Sequence, residues 1–380
     1  AFTLSYAELA CAMPKAGGVF VYAQRALGSF WGFQAGLVQV VEFVFAPPAI
    51  ALAIGAFVSE RFGVDAQVVA IGAFLVFVGL NAWGVKQAAT FELVVTVLAV
   101  AGLLLFIGLA APHFEVANLS KDNPPLTLTS VFACLPFAIW FYLAIEGVAN
   151  AAEEARDPQR TVALGFSSAI ITLVVLALAV FFVSVGVDGW KTIVYEEGST
   201  TEQDKPLLLA LHHVLGGKGH WGYQALWAVG LVGFVASLNG IILAGGRAMM
   251  EMGRSALLPE CLGRVHASTQ TPVNALLLNA AIGILIILVF DTGAILTLAA
   301  FGAVSLYLIS MWSLFVLRKT EPELDRPFKA VAYPIFPFTA LAIAGVAWVG
   351  MAVTGWKIAA IFVGILALGS VYFVMTRRGE

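Results

Sequence analysis

Three carboxylates stand inside apolar stretches of this sequence, at Glu8, Glu42 and Glu146. In a stretch that crosses a lipid bilayer, an acid at the midplane costs about 2.5–3.5 kcal/mol on insertion scales. Each is therefore read first as a group that binds a cation or carries a proton. Glu146 lies in Trp140-Phe141-Tyr142-Leu143-Ala144-Ile145-Glu146-Gly147-Val148-Ala149-Asn150. An acid, a helix-weakening Gly and an Asn so close together suit a discontinuous helix whose freed amides and carbonyls face a cavity. An intact helix whose Glu caps a neighbouring backbone group fits the same residues, and in both cases Glu146 points inward. Glu42 shares a helix face with Gln39 at i,i+3. Downstream, Pro47 removes a backbone bond and frees the Phe43 carbonyl. A buried acid beside a kink suits a cation site. It also suits a structural bond to a hydroxyl or amide on another helix.

Ser237 and Asn239 interrupt a further apolar stretch, followed by Gly240 and Gly245-Gly246. They are candidates for contact with a polar ligand, or small residues that let helices approach. Tyr307 and Ser310 share one face of another stretch, a weaker signal. Chemistry of other kinds finds little support. Cys11, Cys134 and Cys261 have neither a disulfide framework nor metal spacing. The His residues at 113, 212, 213, 220 and 266 fall between apolar stretches, with no carboxylate or Cys at a ligand spacing. Gly216-Gly217-Lys218-Gly219 reads as a turn, because no strand–helix context makes it a phosphate loop. An enzyme needs converging nucleophile and base or a metal set, and none is visible. No cofactor is called for.

The elements that carry these residues must live in lipid. Of the 380 residues, 61% are hydrophobic and 11% charged, against roughly 25% charged in ordinary soluble domains. A globule of this size cannot hide so much apolar side chain from water, and a bilayer is the solvent that accepts it. The net charge of −3 gives no reason to expect nucleic acid as a partner. Candidate spans lie near 1–13, 30–58, 66–83, 88–111, 128–151, 162–187, 222–246, 273–290, 293–317, 332–353 and 355–375. The first is too short to cross alone, and the chain opens in mid-span on Ala1-Phe2-Thr3-Leu4, so an N-terminal helix is expected to be missing.

The charges between spans test this threading. With 13–29 placed in the cytoplasm, only Arg61, Lys121, Lys191, Lys205, Lys218 and Lys357 fall outside. The remaining 14 of the 20 Lys and Arg fall inside, the bias of retained cytoplasmic loops. The segments 13–29, 153–161, 249–271, 318–331 and the C-terminus are then cytoplasmic, and the acidic stretch 188–221 is extracellular. After the span holding Glu146 comes Glu153-Glu154-Ala155-Arg156-Asp157-Pro158, where Asp157 as N-cap and Pro158 at N1 predict the next helix start.

Ser5-Tyr6-Ala7-Glu8-Leu9 and Pro14-Lys15-Ala16-Gly17-Gly18-Val19-Phe20-Val21-Tyr22 resemble the second helix and following loop of the amino acid–polyamine–organocation (APC) transporters. Asn81-Ala82-Trp83-Gly84-Val85-Lys86 resembles the loop between their fourth and fifth helices. Trp140 to Glu146, continuing to Asp157-Pro158, resembles their sixth helix and its turn, and Thr271-Pro272 the start of the ninth. The resemblance spans essentially the whole chain. Within the superfamily, Glu42 to Pro47, Phe137 to Gly147 and Ser237 to Ile242 look most like bacterial ethanolamine permeases.

This resemblance implies an all-α polytopic membrane protein with two inverted five-helix (LeuT-like) repeats and two extra helices. The rest of the first repeat would occupy 1–111, the second repeat 128–317, and the extra helices 332–375. It implies that Trp140 closes over the substrate, with Tyr142, Leu143 and Ala144 lining the cavity. Proton-coupled members of the family carry a Lys in the fifth helix, and no Lys stands between Gln87 and Pro112. Glu8, Glu42 and Glu146 then remain as candidate carriers of a coupling proton or sodium ion.

The function expected is alternating-access import of a small amine, ethanolamine first, across a bacterial inner membrane. Glu42 and Trp140 would hold the ammonium, and Ser237 or Asn239 the hydroxyl. The alternative is a permease for a neutral amino acid or 4-aminobutyrate, with a transporter-like nutrient sensor as a remote third.

Overall fold

A computed structural model describes residues 1–15, 17–84, 89–147 and 157–377. The chain is built from helices: α1 (Phe2–Ala12), α2 (Val19–Leu27), α3 (Ser29–Phe62), α4 (Ala66–Trp83), α5 (Ala89–Ala110), α6 (Leu128–Trp140) and α7 (Pro158–Gly186). They continue as α8 (Trp190–Val194), α9 (Pro206–Leu215), α10 (Trp221–Arg254), α11 (Val273–Val289), α12 (Thr292–Thr320), α13 (Ile335–Thr354) and α14 (Trp356–Arg377). Among the described residues, the only β pairing is one bridge between Tyr195 and Glu202. Among the described residues, eight helices are long and apolar enough to cross a membrane, and α6, α9 and α11 are shorter apolar helices. Every apolar stretch picked out in the sequence contains a helix.

Local chemistry sets the helix ends. Asp65 caps α4 by accepting from the Val68 N–H at 2.9 Å, and Gly84 ends it in the left-handed region at φ +84°, where a residue without Cβ pays little. Asp157 caps α7 with Pro158 in its first turn, as the sequence predicts. Asp291 caps α12 through the Ala294 N–H at 2.8 Å. The quoted loop motifs meet in space. Thr271 Oγ1 donates to the Ala82 carbonyl at 2.9 Å, and a Cβ on Gly84 would come within 2.6 Å of the Thr269 carbonyl oxygen.

α3 is the axis of the molecule, packed against α2, α4, α10, α11 and α12. It runs through Pro47 and Pro48 without ending. Two glycines let neighbours come up to its backbone. A Cβ on Gly302 of α12 would sit 2.9 Å from the Glu42 nitrogen, and one on Gly245 of α10 would sit 3.0 Å from the Phe43 carbonyl oxygen. The carbonyl that Pro47 frees is thus covered by a bare stretch of α10.

Two helices differ from the sequence reading. α2 lies in 13–29, read above as a loop; it buries Val19, Phe20, Tyr22 and Ala23 and exposes Arg25. α9 lies in the polar stretch 188–221, yet Leu208, Leu209, Ala210 and Leu211 are buried, and Leu208, Ala210 and Leu211 share a cluster with Phe57 and Phe106. The segment is anchored by Lys205, which pairs with Glu60 and, at 2.6 Å, with Glu196. Burial pulls the Lys205 ammonium down, but the two carboxylates together hold it above its ordinary value. Val85, Lys86, Asn150, Glu153, Glu154, Arg156 and Arg378, all used in the sequence reading, lie outside the described residues.

Candidate functional site

The helix that begins at Leu128 stops at Trp140. Residues 141–146 form turns, held by Tyr142 N–H to the Ile139 carbonyl at 2.9 Å and Gly147 N–H to the Ala144 carbonyl at 3.0 Å. Ala144 takes φ +64°, a left-handed conformation that costs a residue with a Cβ about 1–2 kcal/mol. The Ala144 N–H, released from the helical ladder, donates to Glu42 Oε1 at 3.3 Å. A carboxylate from the middle of α3 therefore reaches the break after α6. An intact helix through Glu146 is not what is found; whether a helix resumes beyond Gly147 lies outside the described residues.

Glu42 and Glu146 are 0% and 1% exposed, and their carboxyl groups face one another. Glu42 Oε2 and both Glu146 oxygens have no hydrogen-bond partner. The Tyr6 phenol from α1 and the Tyr307 phenol from α12 lie within electrostatic reach of both carboxyls, and their hydroxyls are buried without a partner as well. Phe2 lies between these rings, 5.3 Å from Tyr6 and 4.0 Å from Tyr307 between centroids. Leaving a buried acceptor unpaired costs about 1–3 kcal/mol, more when it is charged. Three bare carboxylate oxygens against one weak donor describe a site that gains when a cation or protons arrive.

The other candidates fall around this centre or away from it. Trp140 is half-buried at the end of α6 and packs against both large core clusters. Tyr142, Leu143 and Ala144 are half-buried in the turn itself. Ser237 is exposed on α10. Asn239 is buried, but its Oδ1 accepts from Asn81 Nδ2 of α4 at 2.9 Å. The structure therefore does not bring Ser237 or Asn239 to the carboxyl pair. Glu8 has a different setting: Arg318 grips it through two bonds of 2.7 and 2.6 Å. Arg326 Nε stands 3.1 Å away and the Ala330 N–H donates at 2.7 Å. Tyr6 was not singled out in the sequence. Its only signal there was its place two residues before Glu8 in a quoted motif.

A family model described as amino acid permease matches residues 1–375. The chain belongs to the amino acid permease family. The permease is 26% identical over 348 residues to an uncharacterized transporter of Rhizobium meliloti (strain 1021), covering 88% of this chain and 72% of that one. It is 25% identical to the methylthioribose transporter of Bacillus subtilis (strain 168), over 98% of this chain and 82% of the relative. It is equally similar to that organism's branched-chain amino acid permease, over 99% of this chain and 82% of the relative. The permease is thus a multi-pass membrane transporter for a small molecule, and not an enzyme.

Proposed function

We propose that this permease imports a small primary amine, ethanolamine first, by alternating access at a site centred on Glu42 and Glu146. The observation that carries this reading is the pair of facing, buried carboxyls with three oxygens left without partners. Such a pair attracts an ammonium and repels a carboxylate, so it suits an amine that has no acid group of its own. The turn at Tyr142-Leu143-Ala144 reaches Glu42 through the Ala144 N–H, and Trp140 ends the helix just before it. Trp140 can add a cation–π contact of about 0.5–2 kcal/mol as the site closes. Between visits of the amine, a proton held between the two carboxyls would relieve their repulsion, which makes them the candidates for proton coupling.

The test is uptake of radiolabelled ethanolamine into proteoliposomes, with Glu42→Gln beside the wild type and a panel of unlabelled competitors. Saturable uptake that small amines compete for, and that Glu42→Gln abolishes, supports the reading. A second reading has its own observation. One relative is named for branched-chain amino acids, which favours a neutral amino acid as cargo. Uptake blocked by leucine, alanine or 4-aminobutyrate, with Glu42→Gln still active, would select it and discard the amine site.

A further inference from the structure

Resting on that reading, we infer that Tyr6 and Tyr307 complete the amine site and set its selectivity, so that it takes a primary ammonium carrying a neighbouring hydroxyl. Their hydroxyls are buried and unpartnered, Phe2 joins the two rings, and both pack in the core cluster that holds Ile145, the neighbour of Glu146. The match is one of donors to acceptors. A primary ammonium brings three N–H donors, and the pair presents three bare oxygens, Glu42 Oε2 and both of Glu146. Each methyl added to the nitrogen removes a donor and leaves one of those oxygens buried and unpaired. A phenol both donates and accepts. Tyr6 and Tyr307 can therefore receive a hydroxyl two carbons from the nitrogen while their rings, with Phe2, close the apolar side around the carbon chain. The sequence offered Ser237 and Asn239 for that hydroxyl. Ser237 is exposed and Asn239 is engaged by Asn81, whereas the two phenol hydroxyls are buried with no partner.

Competition against labelled ethanolamine in proteoliposomes reads this directly, with ethylamine (no hydroxyl) and choline (no N–H) as probes. In the wild type, both should compete roughly 10- to 100-fold more weakly than ethanolamine, as expected when buried polar groups go unpaired. In Tyr307→Phe, Tyr6→Phe and the double variant, the gap between ethanolamine and ethylamine should shrink, while choline stays excluded by the carboxyls. Tyr22→Phe is the control. It also removes a buried, unpartnered hydroxyl, from a ring packed edge-on to Tyr6 at 5.7 Å, and its selectivity should stay that of the wild type. Thermal unfolding of each variant in detergent separates misfolding from altered recognition. Full wild-type discrimination in the Tyr6/Tyr307 double variant would overturn the inference and leave the carboxyl site standing. A wild type for which no amine competes would overturn both, and the loss would then be visible before any tyrosine is changed.

Discussion

Three buried glutamates fall into two opposite kinds of surroundings in this molecule. Glu8 is 1% exposed, and each of its oxygens receives two donors, from Arg318, Arg326 and the Ala330 amide. Glu42 and Glu146 are buried as deeply, yet share one long bond from the Ala144 N–H. Burial alone therefore does not separate a structural acid from one proposed to bind cargo. What separates them is whether the fold has already supplied the counter-charge. Glu8 ties α1 to the end of α12 and the strap after it. Among the described residues, the carboxyl pair has no such counter-charge within the fold; in the function proposed above, the transported ammonium supplies it.

The comparison breaks most readily at Glu8. Glu8→Ala should leave Arg326, whose side chain is 6% exposed, with only the carbonyls of Leu317, Glu321, Pro322 and Leu324 for partners and take the counter-charge from the half-covered Arg318 as well, for a loss of about 3–5 kcal/mol. Thermal unfolding of the purified protein in detergent measures it, and a loss below about 1 kcal/mol would mean water already serves those arginines. Glu42→Gln goes the other way. It removes one of two facing charges and supplies an amide that can donate to Glu146, so stability should hold or rise by about 1–2 kcal/mol while uptake falls. A marked loss of stability in Glu42→Gln would show the carboxyl to be structural after all.

A smaller effect tests how closely the site is built. Gly302→Ala sets a Cβ 2.9 Å from the Glu42 nitrogen and the Val38 carbonyl oxygen. Both are backbone atoms on the most buried helix, and neither can swing aside. The expected cost is about 1–3 kcal/mol, with uptake of amine reduced because α12 moves away from α3 and carries Tyr307 with it. An unchanged melting temperature together with unchanged uptake would show that α12 and α3 have slack at this level.

Much of this frame was legible because lipid leaves few alternatives. The run 66–83 is α4 to the residue, since a long apolar stretch between Asp65 and Gly84 can only be a capped helix. Glu42 and Glu146 were legible as inward acids for the same reason, and the break after Trp140 announced itself through Glu146 and Gly147. The rest was out of reach of local patterns. α2 and α9 are too short and too mixed to read as helices until their apolar faces find α3 and the Phe57–Phe106 cluster. The partners of Glu8 stand 310 and more residues away, so no spacing rule links them. Asn239 reads as a ligand group until Asn81 is seen to claim it. Tyr6 and Tyr307 look like ordinary span aromatics until the fold joins their rings through Phe2 and buries both hydroxyls without partners.

The mildest contrast lies at the surface, where the same kind of pair does little. Arg25 of α2 grips Glu321, just past α12, through bonds of 3.0 and 2.6 Å, the geometry that Arg318 offers Glu8. Here the two side chains are 45% and 32% exposed. The hydrogen bond from Arg25 holds the Glu321 carboxyl below the usual carboxylate range. A depressed carboxylate contributes stability above its unfolded pKa of about 4.3. That contribution fades as the pH falls through the lower folded value. Solvent screening limits it to about 0–1 kcal/mol. Arg25→Ala should therefore shift the melting temperature only slightly near neutral pH, and less still at high salt. The shift should vanish in acid, where Glu8→Ala has already removed far more. A large, salt-insensitive loss in Arg25→Ala would show that water is excluded from this pair too, and the distinction drawn from Glu8 would then not be one of burial and supplied charge.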